Sequence, residues 1–280
     1  MHPANIACLT AARIDVCALA NNHVLDSGYP GLAETLHVLH AAGIKTAGAG
    51  RNRADAEDPA IIELAPDRCI VVFSIGSGTS GIPPDWAATG DRAGVDFLDH
   101  LSETAAERFL ERVARIKRRG DVVVASIHWG GNWGYEVPDS QIHFAHRLLE
   151  GDVALVHGHS SHHPRPIEVY NEKLVLYGCG DFLTDYEGIG GYEEFRGDLA
   201  LMYFPTVDAE TGRLVALQMT PIHVRRMQAT HADRADAEWI CESLIRASSR
   251  FQTEIELLAG DRRSGGALVL NGYGLPAIGR

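Results

Sequence analysis

Imidazole and amide side chains gather in three short stretches of the 280-residue sequence. The first is Asn21-Asn22-His23, the second is His128-Trp129-Gly130-Gly131-Asn132, and the third holds four histidines between positions 157 and 163. Imidazole nitrogens and amide oxygens bind borderline divalent metals, and imidazole also transfers protons near neutral pH. The stretches therefore predict a metal site or an acid–base site, although a single histidine at a strand end is more often exposed or hydrogen-bonded.

Each stretch follows a segment with the apolar pattern of a β-strand. We predict strands at 13–20, 121–127 and 153–156, and each ends directly before one of the polar stretches. Ligands bind beyond the carboxyl ends of the strands in α/β sheets. We therefore expect the three stretches to converge on a single site, where the neighbouring glycines allow close approach of the backbone.

The remaining pattern alternates helices and strands. Apolar spacing predicts helices at 31–42, 102–119, 139–150 and 233–249, with Ser102 as the N-cap and Gly120 as the stop of the second. Further strands are predicted in pairs, at 60–64 with 69–75, at 167–170 with 174–177, and at 198–207 with 213–224. No repeat or linker interrupts the pattern, which indicates one mixed α/β domain at 1–262. We expect the tail at 263–280 to hold one short strand and to fray.

The composition is that of a globular protein, with 45% hydrophobic and 22% charged residues. The formal net charge of −12 disfavours general binding to nucleic acid or to an anionic membrane. No apolar run reaches the ~20 residues of a transmembrane segment, and residues 1–12 do not resemble a signal peptide, so we expect a cytoplasmic protein. The five cysteines contain no C-x-x-C pair, which favours a reducing compartment over a disulfide framework.

Four motifs carry a resemblance to a known family. They are ANNHVLDSGYPGLAETL, AGAGRN, SIHWGGNWGYE and HGHSSHHPRPIEVYNEKLVLYGCGDF, and they extend from position 20 to 182. Their order and spacing resemble the CapA-like poly-γ-glutamate (capsule) synthesis proteins of the calcineurin-like metallophosphatase superfamily. The resemblance implies an α/β/β/α sandwich with mixed sheets and a metal centre at one sheet edge, here without the N-terminal part of the fold.

The resemblance also implies roles for individual residues. Asn22, His128, His159 and His162 match the positions of metal ligands, and His23 matches the catalytic histidine that faces the substrate. The implied cofactor is a pair of divalent ions, Mn, Fe or Zn, which would activate a bridging water for hydrolysis. His23 would then protonate the leaving group or stabilise the charge of the transition state.

The histidine-rich stretch departs from the pattern of this superfamily. Its terminal histidine pair reads Gly-His-x-His, whereas here Gly158-His159 is followed by two serines before His162. His157 and His163 are therefore additional candidates, and the choice among the four histidines stays open.

The carboxylate ligands are a second departure. Family members carry them on earlier strands that end in Gly-Asp and Asn-Leu-Glu, and this chain has neither of these segments ahead of the Asn21-Asn22-His23 stretch. Metal ions held only by imidazole and amide groups would lack charge compensation. Asp26 and Asp181 are the candidate substitutes, although Asp26 equally suits a turn cap. We expect a longer gene product to carry the missing strands.

Two further residues are candidates for binding substrate. Arg165 either holds an anionic group or forms a surface salt bridge, and Glu136 either lines a cleft or lies in a solvated loop.

Three functions fit this pattern. The first is a metal-dependent hydrolase acting on a phosphoester or on a γ-linked glutamate polymer. The second is a metal-dependent acid–base enzyme, such as an epimerase, acting on a peptide. The third is a non-catalytic accessory protein for polymer synthesis or export, which the missing carboxylates favour. The expected partners are an anionic small molecule or polymer and, peripherally, a polymer synthase, with neither nucleic acid nor a transmembrane segment.

Overall fold

A computed structural model describes residues 2–186, 189–260 and 264–273. The chain divides into a first unit, residues 1–131 with 140–156, and a second unit, residues 132–139 with 157–280. Of the predicted tail, 264–273 are described, whereas position 263 and 274–280 lie outside the described residues, as does the predicted domain boundary at 262. The predicted α/β class with mixed sheets is confirmed, and no sheet within the described ranges closes into a barrel.

The first unit combines helices with short and long strands. Its helices are α1 (Ile6–Ala11), α2 (Gly28–Ala41), α3 (Arg53–Glu57), α4 (Glu103–Ile116) and α5 (Asp139–Glu150). Its strands are β1 (Val16–Ala18), β2 (Lys45–Ala47), β3 (Ala49–Gly50), β4 (Ala60–Ala65), β5 (Arg68–Ser77), β6 (Gly94–Val95), β7 (Phe97–Leu98) and β8 (Val122–His128).

Strand β5 is the centre of the main sheet of this unit. It pairs with β4 in antiparallel fashion and with β7 and β8 in parallel, which makes the sheet mixed. Strand β1 pairs in parallel with β2, and β3 pairs with β6 in antiparallel fashion. The parallel register of β5 and β8 ends at the pair Gly76 and His128, so β8 delivers an imidazole at its carboxyl end.

The leucine spacing of α2 predicts its buried face correctly. Leu32, Leu36 and Leu39 are all buried and share one core cluster with Leu19 and Ile82. This packing anchors the segment between β1 and α2, which contains the Asn21-Asn22-His23 stretch.

Helix α4 begins where the sequence predicts and ends earlier. The Ser102 Oγ accepts a hydrogen bond from the Ala105 amide, but the helix stops at Ile116 rather than at position 119. The Asp121 carboxylate accepts from the Arg118 amide at 2.8 Å and from the Cys69 amide at 2.9 Å. These bonds draw the chain out of the helix and toward β5.

The second unit contains mainly antiparallel strands. Strand β9 (Leu155–His159) enters it from the first unit, and the following elements are β10 (Ile167–Tyr170), β11 (Lys173–Leu176), β12 (Leu199–Val207), β13 (Leu214–Arg225), β14 (Gln228–His231), α6 (Arg234–Ser248), β15 (Ile255–Leu257) and β16 (Leu268–Leu270). One sheet has the order β12-β13-β16-β15, with β14 paired to β13.

Both predicted hairpins of this unit are confirmed. Asn171 and Glu172 have φ angles of 49° and 63°, which is the two-residue turn that matches the twist of β10 and β11. In the loop after β12, the Asp208 carboxylate accepts from the Glu210 and Thr211 amides.

The expectation of a fraying tail is wrong for its described strand. Leu268 and Leu270 of β16 are 0% and 2% exposed, and β16 pairs with both β13 and β15. The apolar run that predicts a short strand here is therefore part of the core of the second unit.

Gly48 allows three segments of the first unit to meet behind the Asn-His stretch. Its φ is +91°, and a Cβ at this position would lie 2.6 Å from the Ser74 Cβ and 2.8 Å from the Ala20 Cβ. Ser74 in turn accepts a hydrogen bond from the Ala20 amide at 3.3 Å. Only glycine fits both the backbone angle and the space.

Gly48→Ala should therefore destabilise the chain by about 3 kcal/mol, since strain at positive φ and overpacking each cost about 1–3 kcal/mol. Gly43 is the matched control, because its φ is +78° and nothing lies within 4 Å of its added Cβ. Gly43→Ala should cost only the backbone strain, about 1 kcal/mol. Denaturant unfolding of both variants measures the difference, and equal losses would contradict the close-packing argument.

Candidate functional site

The amide of Asn22 and the imidazole of His128 meet in the first unit. Asn22 Oδ1 lies 3.1 Å from His128 Nε2, and His128 is 7% exposed at the end of β8. Because an amide oxygen only accepts, Nε2 donates this hydrogen bond and carries the proton. The sequence prediction that these two residues lie together is consistent with this geometry.

Hydroxyl groups hold the loops on either side of this pair. Ser80 Oγ donates to the His128 carbonyl at 3.1 Å, and Thr79 Oγ1 accepts from the Gly130 amide at 3.1 Å. The Ser77 hydroxyl is hydrogen-bonded to that of Thr79. The segment after β5 thus fixes the backbone on both sides of Trp129.

His23 and Asp26 form a separate, exposed pair. His23 Nδ1 lies 2.8 Å from Asp26 Oδ2, and the two side chains are 70% and 59% exposed. The His23 amide donates to Asn21 Oδ1 at 2.9 Å. Asp26 therefore orients the His23 ring, and its carboxylate does not approach the Asn22–His128 pair through a hydrogen bond.

In the second unit, His162 and Asp181 form a hydrogen-bonded pair that Tyr186 completes. His162 Nδ1 lies 2.9 Å from Asp181 Oδ2, and the Tyr186 hydroxyl donates to the same oxygen at 3.0 Å. The side chains of His162 and Asp181 are 16% and 28% exposed. Burial, together with the neighbouring Asp181 charge, raises the pKa of Tyr186 above its usual value, so this hydroxyl remains a donor.

This geometry fixes the tautomer of His162. The carboxylate accepts from Nδ1–H, so in the neutral ring the lone pair resides on Nε2. Nε2 has no hydrogen-bond partner within the described ranges of the chain. The Asp181 carboxylate is thus an orienting group for a histidine whose other nitrogen is available to a proton or a ligand.

His157 and His159 lie within a strand, which corrects their predicted position. The predicted strand ends at 156, whereas β9 continues to His159. Alternate residues of a strand share one face, and the two rings are accordingly 5.5 Å apart. Burial lowers the pKa of His157 to about 4, so this ring is neutral near pH 7.

His163 packs inside an aromatic cluster. It is 0% exposed and lies against Phe195 at 4.5 Å, Tyr135 at 4.8 Å and Trp133 at 6.0 Å between ring centroids. Its Nδ1 donates to the Pro164 carbonyl at 3.0 Å, and burial lowers its pKa to about 4. This placement is typical of a packing histidine and separates His163 from the hydrogen bonds of Asp181.

The surface salt bridge considered for Arg165 is wrong. Arg165 is 4% exposed, and its Nη2 donates to the backbone carbonyl of Glu136. Burial lowers the pKa of the guanidinium, and its Nε and Nη1 have no partner within the described residues. Glu136 contributes its carbonyl here, while its side chain is exposed.

The described side chains do not complete a metal site. Over residues 2–186, 189–260 and 264–273, no three His, Cys, Asp or Glu side chains are grouped to hold a metal ion. Asn22 and His128 have suitable ligand atoms, but these atoms are hydrogen-bonded to each other. Asp26 and Asp181, the candidate substitutes for the missing carboxylates, are bound to His23 and His162. The convergence of all three stretches on a single site stays a prediction.

Tyr186 is a residue of this site that sequence reasoning missed. Tyr186 lies five positions after Asp181 in a segment without periodicity, so no pattern marks it. Trp133 stacks on Tyr192 at 4.3 Å and lies 5.4 Å from His162. Its place in the SIHWGGNWGYE motif was the available signal.

The fold and these paired side chains define a mixed α/β protein with amide–imidazole and carboxylate–imidazole pairs near strand ends. Residues 1–186 match the family described as bacterial capsule synthesis protein PGA_cap, and the chain belongs to this family. The resemblance to CapA-like proteins is thereby confirmed.

Relatives with assigned names agree with this family. A protein of Mycobacterium tuberculosis (strain H37Rv), named a probable polyglutamine synthesis accessory protein, is 46% identical over 90% of this chain and 66% of its own length. The PGA biosynthesis protein CapA of Bacillus subtilis is 29% identical over 73% of this chain and 50% of its own length. The capsule biosynthesis protein CapA of Bacillus anthracis is 25% identical over 62% and 41%, respectively. The chain thus spans from about two thirds to less than half of these relatives.

Among the described residues, no helix has both the length and the apolar character needed to cross a bilayer.

The tautomer of His162 gives a direct test of the second-unit pair. In the neutral ring we expect Nδ1–H in the native chain, and Asp181→Ala should shift the population toward Nε2–H because the acceptor is removed. Tyr186→Phe is the matched control, since it removes the hydroxyl and keeps the carboxylate. The ¹⁵N shifts of the ring, measured by NMR at alkaline pH, report the tautomer. A native His162 with its proton on Nε2 would contradict the assignment.

Proposed function

We propose that the chain is an accessory protein in the synthesis of a γ-linked glutamate polymer, which it binds without cleaving. The observation that carries the proposal is membership of the capsule synthesis family, together with a 46% identical relative named as an accessory protein of polyglutamine synthesis. A γ-linked glutamate chain has one free carboxylate per unit, so its binding site must offer donors or cations.

The acidic net charge requires such binding to be local. At −12 the chain repels a polyanion on average, and only a few fixed donors can offset this repulsion. In the second unit, the ring of His162 becomes such a donor when a proton is bound at Nε2, and Asp181 and Tyr186 hold the ring in place. The partly exposed Trp133–Tyr192 stack beside His162 offers an apolar face to the methylene groups of the polymer.

In this proposal the residues bind and orient the polymer. Asp181 occupies Nδ1 of His162 and leaves Nε2, once protonated, to donate to a ligand carboxylate. Trp133, which also packs against His163, lies beside the His162 ring at 5.4 Å between centroids. Peripheral association with a polymer synthase would place the nascent chain near this surface.

Calorimetric titration with two polymers tests the proposal. We expect saturable binding of poly-γ-glutamate and weaker binding of poly-α-glutamate of the same length, because the two share charge and composition and differ only in backbone linkage. Equal affinity for both would reduce the interaction to nonspecific charge, and absence of binding to the γ-linked polymer would overturn the proposal.

A metal-dependent hydrolase of phosphoesters or of the polymer is the second candidate function. It is favoured by the 3.1 Å distance between Asn22 Oδ1 and His128 Nε2, because both atoms are of types that bind divalent metals. To bind one ion, the two side chains would have to exchange their mutual hydrogen bond for bonds to the metal. This function requires carboxylate ligands beyond the side-chain pairs that the described residues form.

Elemental analysis after expression with manganese distinguishes this candidate. A hydrolase of this type should hold about two equivalents of metal per chain. His128→Ala and Asn22→Ala should both lose the metal, while His143→Ala on the exposed face of α5 should retain it. Folded native chain without bound manganese would exclude the candidate for this chain.

A further inference from the structure

A cavity of about 330 Å³ lies in the second unit, next to Asp181 but otherwise apart from the predicted site residues. Its walls come from the segment after β11, from β12 and from the end of β13. Its lining includes Asp181, Phe182, Asp198, Ala200, His223 and Arg225. The volume is at the small end of the about 300–1,000 Å³ typical of ligand sites, which suits one or two units of a chain rather than a whole polymer.

The carboxylates in the cavity wall are already bonded. Asp198 accepts from Arg196 Nε and Nη2, both at 2.7 Å, in the two-point arrangement that guanidinium and carboxylate favour. This Arg196 contact lowers the pKa of Asp198 below its usual value, so the carboxylate is ionised and neutralised in place. Asp181 is occupied by His162 and Tyr186.

His223 adds a second cross-link between carboxylates. Its Nε2 lies 3.5 Å from Asp198 Oδ2, and its Nδ1 lies 3.3 Å from Asp236 Oδ2. Arg196 Nη2 also donates to Asp236 at 2.8 Å. Arg196 therefore bridges Asp198 and Asp236, and the two ring nitrogens of His223 face the same two carboxylates.

Arg225 differs from Arg196 and His223 in its contacts with carboxylates. It lines the cavity at the end of β13, it is exposed, and it forms no ion pair within the described part of the chain. Arg225 is therefore a cation in the cavity wall that no carboxylate of the described residues pairs with. Phe182 and Ala200 supply apolar groups to the same lining.

We propose that this cavity binds a glutamyl unit of the polymer, with Arg225 holding its free α-carboxylate and Phe182 and Ala200 contacting its methylene groups. A γ-linked unit presents both features, since its γ-carboxyl is in the amide bond and its α-carboxylate is free. This inference rests on the proposed function and names the part of the chain that binds a glutamyl unit of the polymer.

Titration calorimetry with a short synthetic γ-linked glutamate oligomer tests the inference. Arg225→Gln should raise the dissociation constant about tenfold, which is about 1.4 kcal/mol, because it removes a charged hydrogen-bond donor to the ligand carboxylate. Arg226→Gln is the matched control, because Arg226 is the exposed neighbour that does not line the cavity. It should change affinity less than about twofold, the scale of a distant, screened charge.

Two additional measurements separate the outcomes. Arg225→Lys should recover part of the affinity, which shows that the loss in Arg225→Gln is not misfolding. The same oligomer with its α-carboxylates converted to amides should bind the native chain weakly. Equal losses in the Arg225 and Arg226 variants, or undiminished binding in Arg225→Gln, would overturn the cavity assignment while leaving polymer binding intact. A native chain that does not bind the oligomer would overturn both proposals.

Discussion

The hydrogen bond between the Asp181 carboxylate and His162 Nδ1 is the constraint on which the account of the second unit depends. In the neutral ring this bond places the lone pair of His162 on Nε2. It also engages the Asp181 carboxylate, which the sequence analysis names as a candidate metal ligand. Asn22 and His128 impose a similar constraint in the first unit, because each satisfies the other at 3.1 Å. In both units, residues expected to bind metal are hydrogen-bonded to each other in pairs.

Close packing holds these pairs in place. Gly48 allows Ala20 and Ser74 to come together behind the Asn-His stretch, and Ser80 bonds the carbonyl of His128. In the second unit, His163 and Trp133 form the aromatic support beside His162. A histidine in such a cluster is kept neutral by burial, which explains how a stretch with four histidines can present only some of them to a ligand.

Local rules predicted the elements that local interactions determine. Helix α5 has the predicted bounds. The turn between β10 and β11 was also predictable, because a two-residue hairpin requires positive φ angles, which Asn171 and Glu172 both have. The end of α4 was missed because Asp121, beyond the helix, captures the Arg118 amide through a side-chain bond that periodicity does not encode. Strand β9 runs further than predicted because its histidines alternate with glycine in a pattern that apolar counting overlooks.

The candidate site also contains contacts that the sequence predicts and contacts that it does not. The juxtaposition of Asn22 with His128 was predictable from motifs at strand ends. The Tyr186–Asp181 bond and the cavity at Arg225 were not, because they join loop and strand residues through tertiary packing alone. The burial of Arg165 also escaped prediction, since sequence assigns an arginine to the surface unless its partner is known.

The central claim is that the chain binds a γ-linked glutamate polymer and leaves it intact. The most direct measurement is the molar mass of poly-γ-glutamate, determined by size-exclusion chromatography with light scattering, after incubation with the chain in the presence of manganese. We expect the polymer to co-elute with the protein and its mass to be unchanged once the protein is removed. A progressive fall in polymer mass that requires manganese and His128 would contradict it and establish a hydrolase.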